Sequence, residues 1–200
     1  TTLFLDIGGV ILSNGWDQKL REQAAKVFQI DLLEMNKRHS VTFDTFEIGK
    51  ITLDEYLQRV VFYTKRTFTL HAFKEFMFSH SYAYPDMLEL MKELKHKHAI
   101  RIVAVSNEGR ELMENRIAKF HLKEVIDIFI CSGFVGLRKP DLAIYQLALD
   151  LSQAKPPEVI YIDDRPLLVE IGLSMGLHSI QHATFEQTKK ILEQQLPTNS

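Results

Sequence analysis

Two hundred residues, 46% of them hydrophobic and 25% charged, suffice for a sizeable core in one domain, or one domain with a modest insertion, and exclude a disordered or fibrous chain. With 24 basic and 26 acidic residues the formal charge is −2, so no basic surplus draws nucleic acid or anionic lipid, and an anionic ligand has to be held by a local site. No apolar run approaches the roughly 18 residues of a membrane-spanning helix, and the single cysteine, Cys131, excludes an internal disulfide, which together lead to the expectation of a cytoplasmic protein without a membrane partner.

The chain opens on an apolar run, Leu3-Phe4-Leu5, followed by Asp6, the pair Gly8-Gly9 and a second apolar run, Val10 to Leu12. A short stretch of large apolar residues predicts a central parallel strand, and the glycines let the backbone turn away from it. Asp6 then stands at the carboxyl end of that strand, where ligands bind in open α/β sheets, or it merely caps a turn. From Trp16 to about Tyr84 the spacing is helical, with Leu20, Ala24, Val27 and Phe28 and then Leu53, Tyr56, Leu57, Val60 and Val61 recurring at three and four. Thr52 before Leu53-Asp54-Glu55 predicts a helix start, and the aromatic residues of this region predict helix-to-helix packing.

After Pro85 the pattern changes to short β-rich runs alternating with helices, which predicts βαβ units and a parallel sheet. Strands are expected at 101–105, 126–130, 159–162 and 178–181, with helices near 86–98, 109–119, 140–151, 166–175 and 184–195. The fold class is therefore α/β, a Rossmann-like three-layer core around a central parallel sheet. Residues 1–14 and 85–200 are read as that core and 15–84 as a helical insertion.

The strands deliver polar groups past their carboxyl ends: Asp6 after the first, Ser106-Asn107 after the second and Asp163-Asp164 after Val159 to Ile162. Ser106-Asn107 also suits a helix cap, and Lys139 before Pro140 also suits a surface loop whose proline opens the next helix. Converging on one sheet edge, these groups suit phosphoryl transfer. Two neighbouring carboxylates such as Asp6 and Asp164 call for a cation between them, and Mg²⁺ is the natural choice. Asp6 can also serve as a nucleophile, with Lys139, Ser106 and the Asn107 amide offsetting phosphate charge.

In order and spacing these stretches resemble the four motifs of the haloacid dehalogenase (HAD) superfamily: Leu5-Asp6-Ile7-Gly8-Gly9-Val10, Val105-Ser106-Asn107, Lys139-Pro140 and Tyr161-Ile162-Asp163-Asp164. The resemblance implies that Asp6 is nucleophile and metal ligand, that Ser106, Asn107 and Lys139 hold phosphate, that Asp164 binds Mg²⁺, and that Asp163 is a supporting acid. It further implies that the insertion is the superfamily's α-helical cap, Gly49 lying in a turn similar to one that helps close such sites. The sequence departs from the pattern at Gly8, where most of these phosphatases carry a second Asp as general acid and base. The Gly8 carbonyl can still bind Mg²⁺, but proton delivery to the leaving oxygen, worth about 10² to 10⁴ in rate, is missing. A glycine there, with Gly136-Leu137-Arg138-Lys139-Pro140, resembles the subgroup that includes sugar-1-phosphate phosphatases.

The expectation is thus a Mg²⁺-dependent hydrolase acting on a small phosphorylated metabolite through an aspartyl phosphate. Its rivals are a non-catalytic binding protein of the same family, favoured by Gly8, and a 2-haloacid dehalogenase, disfavoured by the Asp163-Asp164 pair. Monomer and homodimer are both open. Trp16 and Asn14 are expected to brace the junction of core and insertion, and Arg165 can orient Asp163, meet substrate or cap a helix.

Overall fold

The computed structural model describes residues 1–196, so the last four residues assigned to the core, 197–200, lie outside it. Five strands, β1 (Thr2–Leu5), β2 (Arg101–Ser106), β3 (Ile128–Cys131), β4 (Val159–Asp163) and β5 (His178–Gln181), form one parallel sheet in the order β3-β2-β1-β4-β5. The chain builds outward from β1 through β2 to β3, then crosses back to lay β4 on the other side of β1. Strand order reverses at β1, which places a crevice at its carboxyl end.

All four residues of β1 are buried, as a strand covered on both faces requires. Leu3 and Leu5 pack on one face with Met87, Leu90 and Leu94 of α5 (Pro85–His98), whereas Phe4 packs on the other with Val103, Tyr161 and Ile144. The remaining core helices are α6 (Arg110–Lys119), the single turn α7 (Ser132–Val135), α8 (Leu142–Ser152), α9 (Pro166–Ser174) and α10 (Phe185–Gln195).

Two elements start two residues later than expected, each where a side chain takes a backbone amide. The third strand starts at Ile128 because Asp127 Oδ2 takes the Ile102 amide at 2.8 Å, replacing a ladder bond with a side-chain one. Pro140 does not open α8; Asp141 caps that helix by accepting the Ala143 amide at 2.9 Å.

Between β1 and α5 lie the helices α1 (Gln18–Phe28), α2 (Leu32–Glu47), α3 (Leu53–Val60) and α4 (Leu70–Ser79), with no strand among them. They bury a cluster of their own around Trp16, Met35, Phe46, Tyr56 and Phe73, which reaches Leu112 of α6. Thr52 and Glu55 form a reciprocal capping box at the start of α3. The two chain connections to this helical unit run side by side: Ser13 donates to the Tyr82 carbonyl at 2.8 Å, and Tyr84 to that of Ile11 at 2.9 Å.

Candidate active site

Asp6 follows β1 directly, and its amide donates to the Ile162 carbonyl at 2.9 Å, so its backbone stays in register with β4 as its side chain reaches the sheet edge. Ser106 and Asp163 end the flanking strands β2 and β4. Lys139 arrives from the loop before α8, almost wholly buried, with Nζ 2.6 Å from Asp163 Oδ2 and 3.2 Å from Asp6 Oδ1. Asn107 fixes where that lysine starts. Its Nδ2 donates to the Lys139 carbonyl and its Oδ1 takes the Lys139 amide, both at 2.8 Å. Helix α6 accordingly begins without the Ser106-Asn107 cap; Gly109 occupies the cap position and offers no side chain.

The two adjacent acids differ in what they have left to give. Asp163 Oδ2 also accepts from the Tyr161 hydroxyl at 2.6 Å, and Oδ1 accepts the Arg165 amide at 2.9 Å. Both oxygens are engaged, so Asp163 suits holding the lysine. Asp164 Oδ1 is buried with no hydrogen-bond partner.

One oxygen from each of Asp6, Asp163 and Asp164 lies within 4.8 Å of the others. Against the single ammonium of Lys139, three carboxylates leave two negative charges uncompensated, the charge of one divalent cation. Burial pushes the Asp6 carboxyl above its ordinary range, with Lys139 pulling the other way, and pushes Asp164 up to about 6, with Asp6 and Asp163 adding to the rise. Burial works against the Lys139 charge, but Asp6 and Asp163 carry its pKa above the usual value. A clustered set of oxygen donors, one of them orphaned, fits a hard cation such as Mg²⁺.

A cavity of about 280 Å³ lies over this edge, with Asp6, Ser106 and Lys139 below and Trp16, Arg21 and His39 of the helical unit above. Gly8 and Asn14 also line it, whereas Asp164 borders a separate groove with Gly9, Tyr84 and His182. A Cβ on Gly8 would sit 3.4 Å from Asn14 Oδ1 and 3.9 Å from Arg116 Nη1, ordinary contacts. On Gly9, at φ +79°, it would fall 2.3 Å from Asp164 Oδ2, so the second glycine is what lets Asp164 approach the turn.

Four groups escaped the sequence reading. Arg116 of α6 pairs with Glu108 at 2.9 Å, both buried, and also donates to the Ser13 carbonyl and, at 3.0 Å, to Ser81 Oγ, tying both connections to the core. Nothing in a helix as charged as Arg110 to Lys119 marks one arginine as internal. Tyr161 was legible in principle, since residues two apart on a strand share a face and Asp163 lies two beyond it. His39 and Arg21 sit on helices whose placement over the sheet periodicity does not disclose. Trp16 is buried edge-on to Phe73, its indole N–H donating to the Tyr56 hydroxyl at 2.7 Å.

A family model described as haloacid dehalogenase-like hydrolase matches residues 1–172. The chain belongs to that family. Flavin mononucleotide hydrolase 1 of Arabidopsis thaliana is 30% identical over 142 residues, covering 70% of this chain and 56% of that protein. (S)-2-haloacid dehalogenase 4A of Burkholderia cepacia is 31% identical over 80 residues, 40% of this chain and 34% of that one. The chain thus spans about half, or less, of the length of these relatives. A HAD family enzyme of Bacteroides thetaiotaomicron has the same fold, with a TM-score of 0.83 at 18% identity over 96% of this chain and 98% of its own. A second structure of it, in complex with magnesium and inorganic phosphate, superposes with a TM-score of 0.77 at 18% identity over 92% and 94%. Among the described residues, no helix of this HAD-like hydrolase is long and apolar enough to cross a membrane.

Proposed function

We propose that this chain is a Mg²⁺-dependent hydrolase of small phosphomonoesters and that residues 15–84 act as its cap. The observation that carries the reading is the unpartnered, buried Oδ1 of Asp164 beside Asp6, in a cluster already short of positive charge. Asp6, Asp164 and the Gly8 carbonyl would hold the ion. Mg²⁺, when bound, neutralises charge on the phosphoryl oxygens and on the attacking carboxylate.

The chain's own residues do the rest. Asp6, anchored by the bond of its amide to β4, attacks phosphorus in line and becomes an aspartyl phosphate as the bond to the leaving oxygen breaks, that oxygen taking its proton from water; a second water then cleaves the mixed anhydride, releasing inorganic phosphate and restoring the carboxylate. Lys139, held by Asp163 and by the Asn107 clamp, offers its ammonium to the phosphoryl oxygens, together with the Ser106 hydroxyl and the Asn107 amide. The helical unit over the cavity limits water during the first step. No carboxylate at position 8 delivers a proton to the leaving oxygen, so good leaving groups are favoured. The Arabidopsis relative's name and the Bacteroides complex with magnesium and phosphate support phosphate chemistry.

Purified protein is expected to release phosphate from p-nitrophenyl phosphate with Mg²⁺, and to stop when the metal is chelated or in Asp6→Asn, which should lose at least about 10³ in rate. The Burkholderia relative and the missing second acid favour one rival, dehalogenation. Chloride release from a 2-haloacid without metal, with phosphate esters untouched, would replace our reading by that one.

A further inference from the structure

Five cationic side chains line the cavity: Arg21, Arg116, Arg138, Lys139 and Arg165. Arg116 is bound to Glu108 at 2.9 Å, Arg138 to Asp44 and to Glu47 at 2.8 Å, and Lys139 to Asp6 and Asp163. Arg21 and Arg165 form no ion pair among the described residues. The acids closest to Arg21 are engaged elsewhere: Asp17 Oδ1 takes the Leu20 amide and Glu22 takes the Gln18 side chain. Arg21 is nonetheless fixed, its Nε donating to Asn36 Oδ1 at 2.9 Å and Nη1 to the Trp16 carbonyl at 3.0 Å, so Nη2 is what remains for a ligand. Arg165 has its backbone amide held by Asp163, and its exposed side chain is left to reach a ligand.

A third donor stands beside Arg21. The Tyr56 hydroxyl, fully buried, accepts the Trp16 indole proton at 2.7 Å, and His39 Nδ1 lies 2.7 Å on its other side. The phenol's own proton needs an acceptor, and Nδ1 is the group in reach. Burial and the Arg21 charge hold His39 neutral by lowering its pKa to about 4. The ring proton is therefore on Nε2, and His39 is a neutral donor in the cavity wall.

We infer that Arg21, His39 and Arg165 form a leaving-group subsite for a carboxylate, so that the favoured substrate is a small phosphorylated acid with phosphate at one end and carboxylate at the other. All three groups donate and none accepts, and the two guanidiniums carry positive charge that no ion pair takes up among the described residues, which matches an acceptor-only anion. The cavity of about 280 Å³ limits the leaving group to a few carbons. The inference rests on the phosphatase reading above.

The experiment measures kcat and KM with Mg²⁺ for 3-phosphoglycerate, glycerol 3-phosphate and a three-carbon bisphosphate, with p-nitrophenyl phosphate as the report on the machinery itself. A charge-assisted hydrogen bond is worth about one to two decades of affinity, so 3-phosphoglycerate is expected to exceed glycerol 3-phosphate at least about tenfold in kcat/KM, mainly through KM. Arg21→Met should bring that ratio near one by raising KM, and Arg21→Lys should restore part of it. Arg165→Gln, an exposed substitution without folding risk, should lower the ratio on its own. Turnover of p-nitrophenyl phosphate with glycerol 3-phosphate or the bisphosphate equal to or better than 3-phosphoglycerate overturns the subsite and leaves the phosphatase reading standing. Failure to turn over any phosphate ester removes both.

Discussion

At the level of single residues, the site is organised by which oxygen atoms are already committed. Tyr161, Lys139 and the Arg165 amide consume Asp163, and Asn107 consumes itself on the Lys139 backbone, so the free capacity falls on Asp6 and Asp164. Gly8 is the other decisive position. The open contacts around a Cβ there, together with a backbone φ outside the left-handed region, mean that a side chain can be added without strain. Gly8→Asp is therefore expected to fold normally and to raise kcat on poor leaving groups such as alkyl phosphates by about 10² to 10⁴, while changing p-nitrophenyl phosphate turnover little. Parallel leaving-group series for the two proteins check it; equal slopes would mean that Gly8 is not where proton delivery was lost.

At the level of elements, the β-rich runs, the helical insertion and the three polar strand ends could all be read from the sequence, because each depends on local spacing. Leu3, Phe4 and Leu5 announce a strand covered on both faces, and Thr52 with Glu55 announces a helix start. What could not be read depends on how elements meet. The Asp127 side chain that delays β3 and the buried Arg116 are both decided by partners far away in sequence, Ile102 and Ser13 among them. The turn after α2 shows the same dependence. Gly49 has a φ of +74°, and a Cβ there would lie 2.4 Å from the Gly133 carbonyl oxygen at the start of α7, so at this turn the helical unit and the core approach backbone to backbone. Gly49→Ala is expected to cost about 2 kcal/mol or more, from left-handed strain plus that displacement. Urea unfolding of the two proteins measures it. A cost near zero would show that the turn can give way without consequence.

At the level of the whole molecule, near-neutral charge conceals a concentration of ionised groups where the helical unit faces the sheet edge. The Glu47–Arg138 pair spans that junction: Glu47 ends α2, and Arg138 comes from the loop that carries Lys139. Burial pushes Glu47 up to about 7; Arg138 pulls back, Glu108 and Asp44 add to the rise and Arg165 opposes it. The folded pKa is above the ordinary 4.5, so folded protein holds this proton more tightly than unfolded protein does. Its contribution to stability is complete below about pH 4.5 and is lost as pH climbs towards 7, an effect on the order of 3 kcal/mol. His39 works in the opposite direction, its depressed pKa withdrawing stability as pH falls below the ordinary 6.5, so the total pH profile mixes the two. The difference between wild type and Glu47→Gln isolates the glutamate. Gln keeps the shape and cannot ionise, so the variant is expected to match or trail wild type near pH 5 and to overtake it by pH 8. Denaturant unfolding of both proteins at those two values decides the point: an unchanged stability gap would mean that Arg138 holds Glu47 ionised throughout, and that the junction is a permanent ion pair.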